Sequence, residues 1–140
     1  MRINLVGIAL MADDPTASAQ SFVEHFGFTV NTDIGWYVNT QHEGHMNLSL
    51  DFVQRDHESS ADVLKSKPVA GTLLAFLVDD VDAEERWLRQ AGLDFVLPLT
   101  TEGWGQRRFQ VMGPDRVVVE VLQMVPPDPD WLAEHRLAPE

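Results

Sequence analysis

The stretch GWGQRRFQVMGPDRVVVEVLQ, residues 103–123, reads as two strands joined by a turn. Gln106 to Met112 is the first strand, Gly113-Pro114-Asp115-Arg116 is the tight turn, and Val117 to Gln123, rich in β-branched residues, is the second. In the second strand Val117, Val119 and Val121 point to one face, and Val118, Glu120 and Leu122 to the other. A lone carboxylate in an apolar row is costly unless something answers its charge.

Working back to the start, Ile3 to Ala12 is a short apolar strand ended by Asp13-Asp14-Pro15. Asp14 is placed to cap a helix with Pro15 at its first position, and Phe22, Val23 and Phe26 follow at helical spacing until Gly27. Phe28 to Thr32, Trp36 to Thr40 and Met46 to Val53 read as three more strands, the last alternating as a half-buried strand does. Residues 1–53 thus form a βαβββ module. Residues 54–71, polar and carrying Lys65, Lys67 and Pro68, read as a linker.

The pattern then restarts in a second module, residues 72–125. Thr72 to Val78 is a strand, and Asp82 with Glu85 makes a capping box for a helix carrying Trp87, Leu88 and Ala91 and closed by Gly92. Asp94 to Leu97 is a short strand, and the 103–123 hairpin supplies the last two. Landmarks recur at a nearly constant offset: Asp14 returns 66 residues on as Asp80, Gly27 65 on as Gly92, and Trp36 68 on as Trp104. Two copies of one α+β unit are expected, each with a curved, partly apolar sheet to be covered within one chain or in a homodimer. The tail, residues 126–140, reads as an extended proline-rich segment leading into a short helix at Trp131, free to lie on a partner copy.

Composition narrows the chemistry. The chain has 140 residues, 44% of them hydrophobic, and a formal charge of −12, with no basic run for nucleic acid or an anionic membrane. The acidic balance suits a neutral or cationic small molecule. Neither a membrane-length apolar run nor a signal-peptide pattern is present, so a cytoplasmic location is expected. Without cysteine, any metal must use His, Asp or Glu. His42 and His45 are three apart, but Gly44 between them marks a solvated turn rather than a zinc motif.

From about Leu5 to Met124 the chain resembles the vicinal oxygen chelate superfamily of glyoxalases, extradiol dioxygenases and bleomycin-resistance proteins. The resemblance is carried by Trp104-Gly-x-Arg-x-Phe109, Pro114-Asp115 and Glu120, with Asp14, Phe26-Gly27-Phe28 and Asp79-Asp80-Val81-Asp82 at the two strand-to-helix junctions. Gly113 and Arg116 depart from the family's Asp-Pro-Asp-Gly turn. The superfamily's enzymes hold a divalent metal with residues from the first and last strand of each unit. The resemblance puts those places near Gly7, Phe52, Leu73 and Glu120, where only Glu120 is a donor, with Asp51 and Ser49 close to Phe52 should the register slip. One carboxylate does not hold such an ion, so no metal and no cofactor is expected.

The expectation is then a metal-free, bleomycin-resistance-like binding protein that sequesters a bulky aromatic or cationic natural product. Its wall would be built from Trp36, Val38 and Phe52 in the first unit and Trp104, Gln106, Arg108 and Glu120 in the second, with Glu120 as the polar anchor or else paired with Arg107 or Arg108. The alternative is a metal-dependent lyase, isomerase or dioxygenase of the same fold.

Overall fold

The computed structural model describes the whole chain except residues 46, 67–69 and 138–140, so Met46, Lys67 and Pro68 lie outside the described residues. The order is β1 (Val6–Ala12), α1 (Pro15–Phe26), β2 (Phe28–Asp33), β3 (Tyr37–His42) and β4 (Leu48–Gln54), then β5 (Leu73–Leu77), α2 (Val81–Gln90), β6 (Asp94–Glu102), β7 (Gln106–Met112), β8 (Val118–Met124) and α3 (Pro129–Glu134). The strands form two four-stranded mixed sheets with orders β1-β4-β3-β2 and β5-β8-β7-β6. The expected α+β repeat of βαβββ is therefore what the chain builds.

The chain divides into two compact units, Met1–Ala70 with Pro114–Arg116, and Gly71–Gly113 with Val117–Glu140. In the first, the Asp14 side chain accepts from the Ala17 N–H, Pro15 opens α1, and Gly27 closes it at φ 74°. This helix drives Phe22 into the sheet, where its ring lies 5.3 Å from Phe26, 5.7 Å from Phe28 and 5.3 Å from Phe52. The turn after β7 is also part of this unit: Asp115 accepts from the Ser18 hydroxyl at 2.6 Å. The segment expected to be only a linker carries a 3-10 turn at Asp62–Leu64.

In the second unit α2 starts at Val81, not after Asp82. The cap is Asp80, which accepts from the Ala83 N–H; it stands where Asp14 stands in the first unit, and the capping box at Asp82 and Glu85 does not form. Starting the helix there buries Val81 completely and leaves both acids for other partners. Glu85 pairs with Arg89, and Asp82 receives Arg107 through two hydrogen bonds of 3.0 and 2.8 Å. Leu88 is buried under α2, whereas Trp87 is exposed. Strand β6 runs to Glu102, five residues beyond Leu97, because Thr100, Thr101 and Glu102 continue pairing with β7.

The tail packs on its own unit. Val125 N–H donates to Gly105, Asp128 N–H donates to Gly103, and Trp131 lies so close to Gly103 that a Cβ there would sit 2.8 Å from its ring.

The Arg107 hydrogen bonds, with its charge, hold the Asp82 carboxyl below its ordinary range. A depressed folded-state pKa stabilises above the unfolded carboxylate value, about 4, and the effect is lost as pH falls through the folded value. Asp82→Asn should therefore lower the melting temperature at neutral pH, and the gap to the parent should close in melts taken below about pH 4. A gap that persists in acid would mean the pair does not couple folding to that proton.

Candidate functional site

Strand pairing decides which side chains share a face. Along β3 and β4, Val38 lies opposite Phe52 and Thr40 opposite Leu50, and all four are buried on the α1 side, at 0, 1, 0 and 2% exposure. Val38 and Phe52 are therefore core residues beneath α1, not the wall of a ligand site. The residues between them, Tyr37, Asn39, Gln41, Ser49 and Asp51, face the other side.

The expectation failed by parity. Helices and second strands start 66 residues apart (Pro15 and Val81, Phe28 and Asp94), but the third strands start 69 apart (Tyr37 and Gln106), because β6 has nine residues where β2 has six. An odd shift turns every side chain to the opposite face. Carried across from the second unit, the even offset of 68 between the two tryptophans landed on Phe52. The pairing register instead puts Ala9 beside Asp51 and Ala75 beside Glu120, and Ala9 and Ala75 keep the 66-residue spacing of the helix caps. Asp51 is the counterpart of Glu120.

Both carboxylates stand on interior strands with an amide opposite, Asn39 for Asp51 and Gln110 for Glu120. Two residues earlier on those partner strands, Tyr37 stands in the first unit where Arg108 stands in the second. Glu120, 8% exposed, accepts from Arg108 Nη1 at 2.7 Å and from Gln110 Nε2 at 3.0 Å. Arg108 also donates through Nε and Nη2 to Glu102, and its guanidinium lies 5.3 Å from the Trp104 ring. These carboxylates, Glu120 first, raise the Arg108 pKa further. Glu120 is thus internally paired, with Arg108 and not Arg107. Arg107, one residue earlier, points to the opposite face and serves Asp82.

Around Asp51 the partners are neutral. One carboxylate oxygen accepts from Asn39 at 2.6 Å and from Ser49 at 2.7 Å. Asn39 also donates to Ser49, and Asn31 links Asn39 to Gln41. Burial, then the Asp51 charge and a hydrogen-bonding contact with it, raise the pKa of the Tyr37 phenol. Sequence patterning missed this row because Asn, Ser and Thr in a strand look like a solvent face; the signal available was Asp51 itself, an acid within the apolar run 48–53.

Neither tryptophan lies in a strand. Trp36 is in the turn before β3, and one face of its ring is covered by His57, parallel at 3.8 Å. Trp104, 40% exposed, sits in the turn before β7, where its Nε1 donates to Gln106 at 2.9 Å. Its ring is 6.0 Å from that of Trp131. Gln106 and Arg108 share the Glu120 face, so in the second unit Trp104, Gln106, Arg108 and Glu120 are linked by contacts, while the first keeps Trp36 at the margin.

The donor set does not fit a metal. Ala9 and Ala75, the residues beside the two carboxylates, offer no ligand atom, and Glu120 is engaged by a guanidinium. Among the described residues no group of three or more His, Asp or Glu side chains converges as ligands do. His42 closes β3, where its Nδ1 accepts from the Gly44 N–H at 3.3 Å, and its ring centre is 5.9 Å from that of His45 in the loop that follows. A hollow of about 400 Å³ bordered by Val6, Gly44, His45, Asn47 and Leu48 lies at that loop end, and Asp51 is not among its lining residues.

The sequence model of the glyoxalase/bleomycin resistance protein/dioxygenase superfamily matches residues 4–121. No curated protein matches the sequence. Among solved structures, the chain is similar to a glyoxalase/bleomycin resistance protein/dioxygenase from Nocardioides, with TM-score 0.74 and 17% identity over 89% of this chain and 85% of that one. It is similar to a lactoylglutathione lyase from Agrobacterium tumefaciens (TM-score 0.68, 20% identity, 85% and 92% covered). It is also similar to TnmS3, described as an antibiotic binding protein from Streptomyces sp. CB03234 (TM-score 0.68, 21% identity, 86% and 94% covered).

Replacing Glu120 by Gln leaves Arg108 with Glu102 alone in a poorly hydrated place. Glu120→Gln should cost about 1–2 kcal/mol in urea unfolding. Unfolding unchanged within error would mean the Arg108 pair contributes nothing to the fold.

Proposed function

The chain belongs to the glyoxalase/bleomycin resistance protein/dioxygenase superfamily, and we propose that it works there as a binding protein that sequesters a bulky aromatic or cationic natural product. The observation that carries this reading is the composition of the two matched positions. Each has an alanine beside its carboxylate, and the more buried carboxylate is already spent on Arg108. What the second unit offers instead is a half-exposed indole against a guanidinium, a surface on which an aromatic ring stacks for about 1 kcal/mol or more per contact.

TnmS3 supports the reading as a structure of the same fold described as binding an antibiotic. The lyase from Agrobacterium tumefaciens matches as well, so the fold alone does not choose between them, and the choice rests on the site. No helix among the described residues is long and apolar enough to cross a membrane. The chain is proposed to act as a homodimer, since the edge strands β1 and β5 expose Val6, Leu73 and Leu77 at 53, 46 and 64%, and unpaired apolar edges favour association.

Planar tricyclic aromatics titrated into the protein should quench tryptophan fluorescence, and Trp104→Ala should weaken binding while the fold survives. Zinc, nickel or iron(II) should leave the melting temperature unchanged, because an ion bound to the native state would raise it by mass action. A metal-dependent rise of several degrees without any tricycle binding would favour the lyase or dioxygenase alternative. Native mass spectrometry should give a dimer.

A further inference from the structure

The two units repeat the same local geometry and differ in one charge. In each, a carboxylate on the interior strand is flanked by an alanine and faced by an amide, Ala9–Asp51–Asn39 and Ala75–Glu120–Gln110. In the second unit the residue two positions before the amide is Arg108, and its guanidinium reaches Glu120 at 2.7 Å. In the first unit that place holds Tyr37, which brings a phenol and no charge. Among the described residues no salt bridge reaches Asp51.

We infer that Asp51, and not Glu120, is the anchor for a positively charged ligand group, a protonated amine or amidine, held on the open face of the first sheet. The inference rests on the binding role proposed above and adds to it the charge of the ligand and the residue that reads it. A carboxylate that is half-buried and hydrogen-bonded only by neutral groups has no opposite charge beside it, in a place where screening by water is reduced. Asn39 and Ser49 bond the same oxygen, Oδ1, and fix the carboxylate plane, so little ordering remains to be done when a cation arrives. The net charge of −12 favours the approach of cations. Glu120 is unsuited to the task because a ligand cation there must first displace a guanidinium bound to two carboxylates.

The test uses two probes of one shape, 9-aminoacridine, a cation at mildly alkaline pH, and acridine, which is neutral there. Isothermal titration of the parent protein should show the cation bound at least about tenfold more tightly, a difference typical of a desolvated charge pair. Asp51→Asn should abolish that preference and leave acridine affinity unchanged. Tyr37→Arg recreates in the first unit the pair that Arg108 and Glu120 make in the second; it should also abolish the preference, and it keeps the test decisive if Asp51→Asn does not fold. A preference that survives either folded variant would overturn the anchor while leaving the binding role intact. If neither tricycle binds the parent protein, the binding role fails and the anchor fails with it.

Discussion

A carboxylate on an interior β-strand has to be answered, because both neighbouring strands exclude the water that would otherwise solvate it. This chain meets that constraint twice, at Asp51 on β4 and Glu120 on β8, and meets it differently each time. Around Glu120 the answer is internal: Arg108 crosses from β7, Gln110 adds a second donor, and Glu102 holds the far side of the guanidinium. Around Asp51 it is a row of neutral donors that satisfies hydrogen bonding without cancelling the charge. The same fold thus contains one closed polar network and one open one, and the open one is where a charged partner has something to gain.

The placement of these groups follows from the period of two along each strand. Arg107 and Arg108 are adjacent and serve opposite faces: one ties the sheet to α2 through Asp82, the other closes the network on Glu120. The valines at 117, 119 and 121 form the core beneath α2, which fixes the register of β8 and so turns Glu120 to the other side. In the first unit Phe22 and Phe52 do the same for β4, and Asp51 is turned out as a consequence.

Much of this was legible in the sequence. Asp14, Pro15 and Gly27 mark α1 because a cap, a pre-set φ and a left-handed stop are needed at those points, and Gly113-Pro114 marks the final turn. The repeat gave two modules. What could not be read was the face of β3 and β4, since that depends on whether the insertion between the units is odd or even, and β6 continues past Leu97 only because β7 is there to pair with it. The network around Glu120 was visible as an acid in an apolar row. Asp51 was in view only as the residue that a slip of register would bring in, because Phe52, a large apolar residue beside it, looked equally suited to a ligand wall. The start of α2 was misread for a similar reason: Asp80 and Asp82 are both good caps, and only the burial of Val81 chooses between them.

The central claim, that Glu120 is occupied by the protein itself and Asp51 is left for the ligand, is tested most directly by a crystal structure with 9-aminoacridine bound. The account predicts the ligand's protonated nitrogen within hydrogen-bonding distance of the Asp51 carboxylate, with Arg108 still on Glu120. A ligand nitrogen on Glu120, with Arg108 swung away, would contradict it.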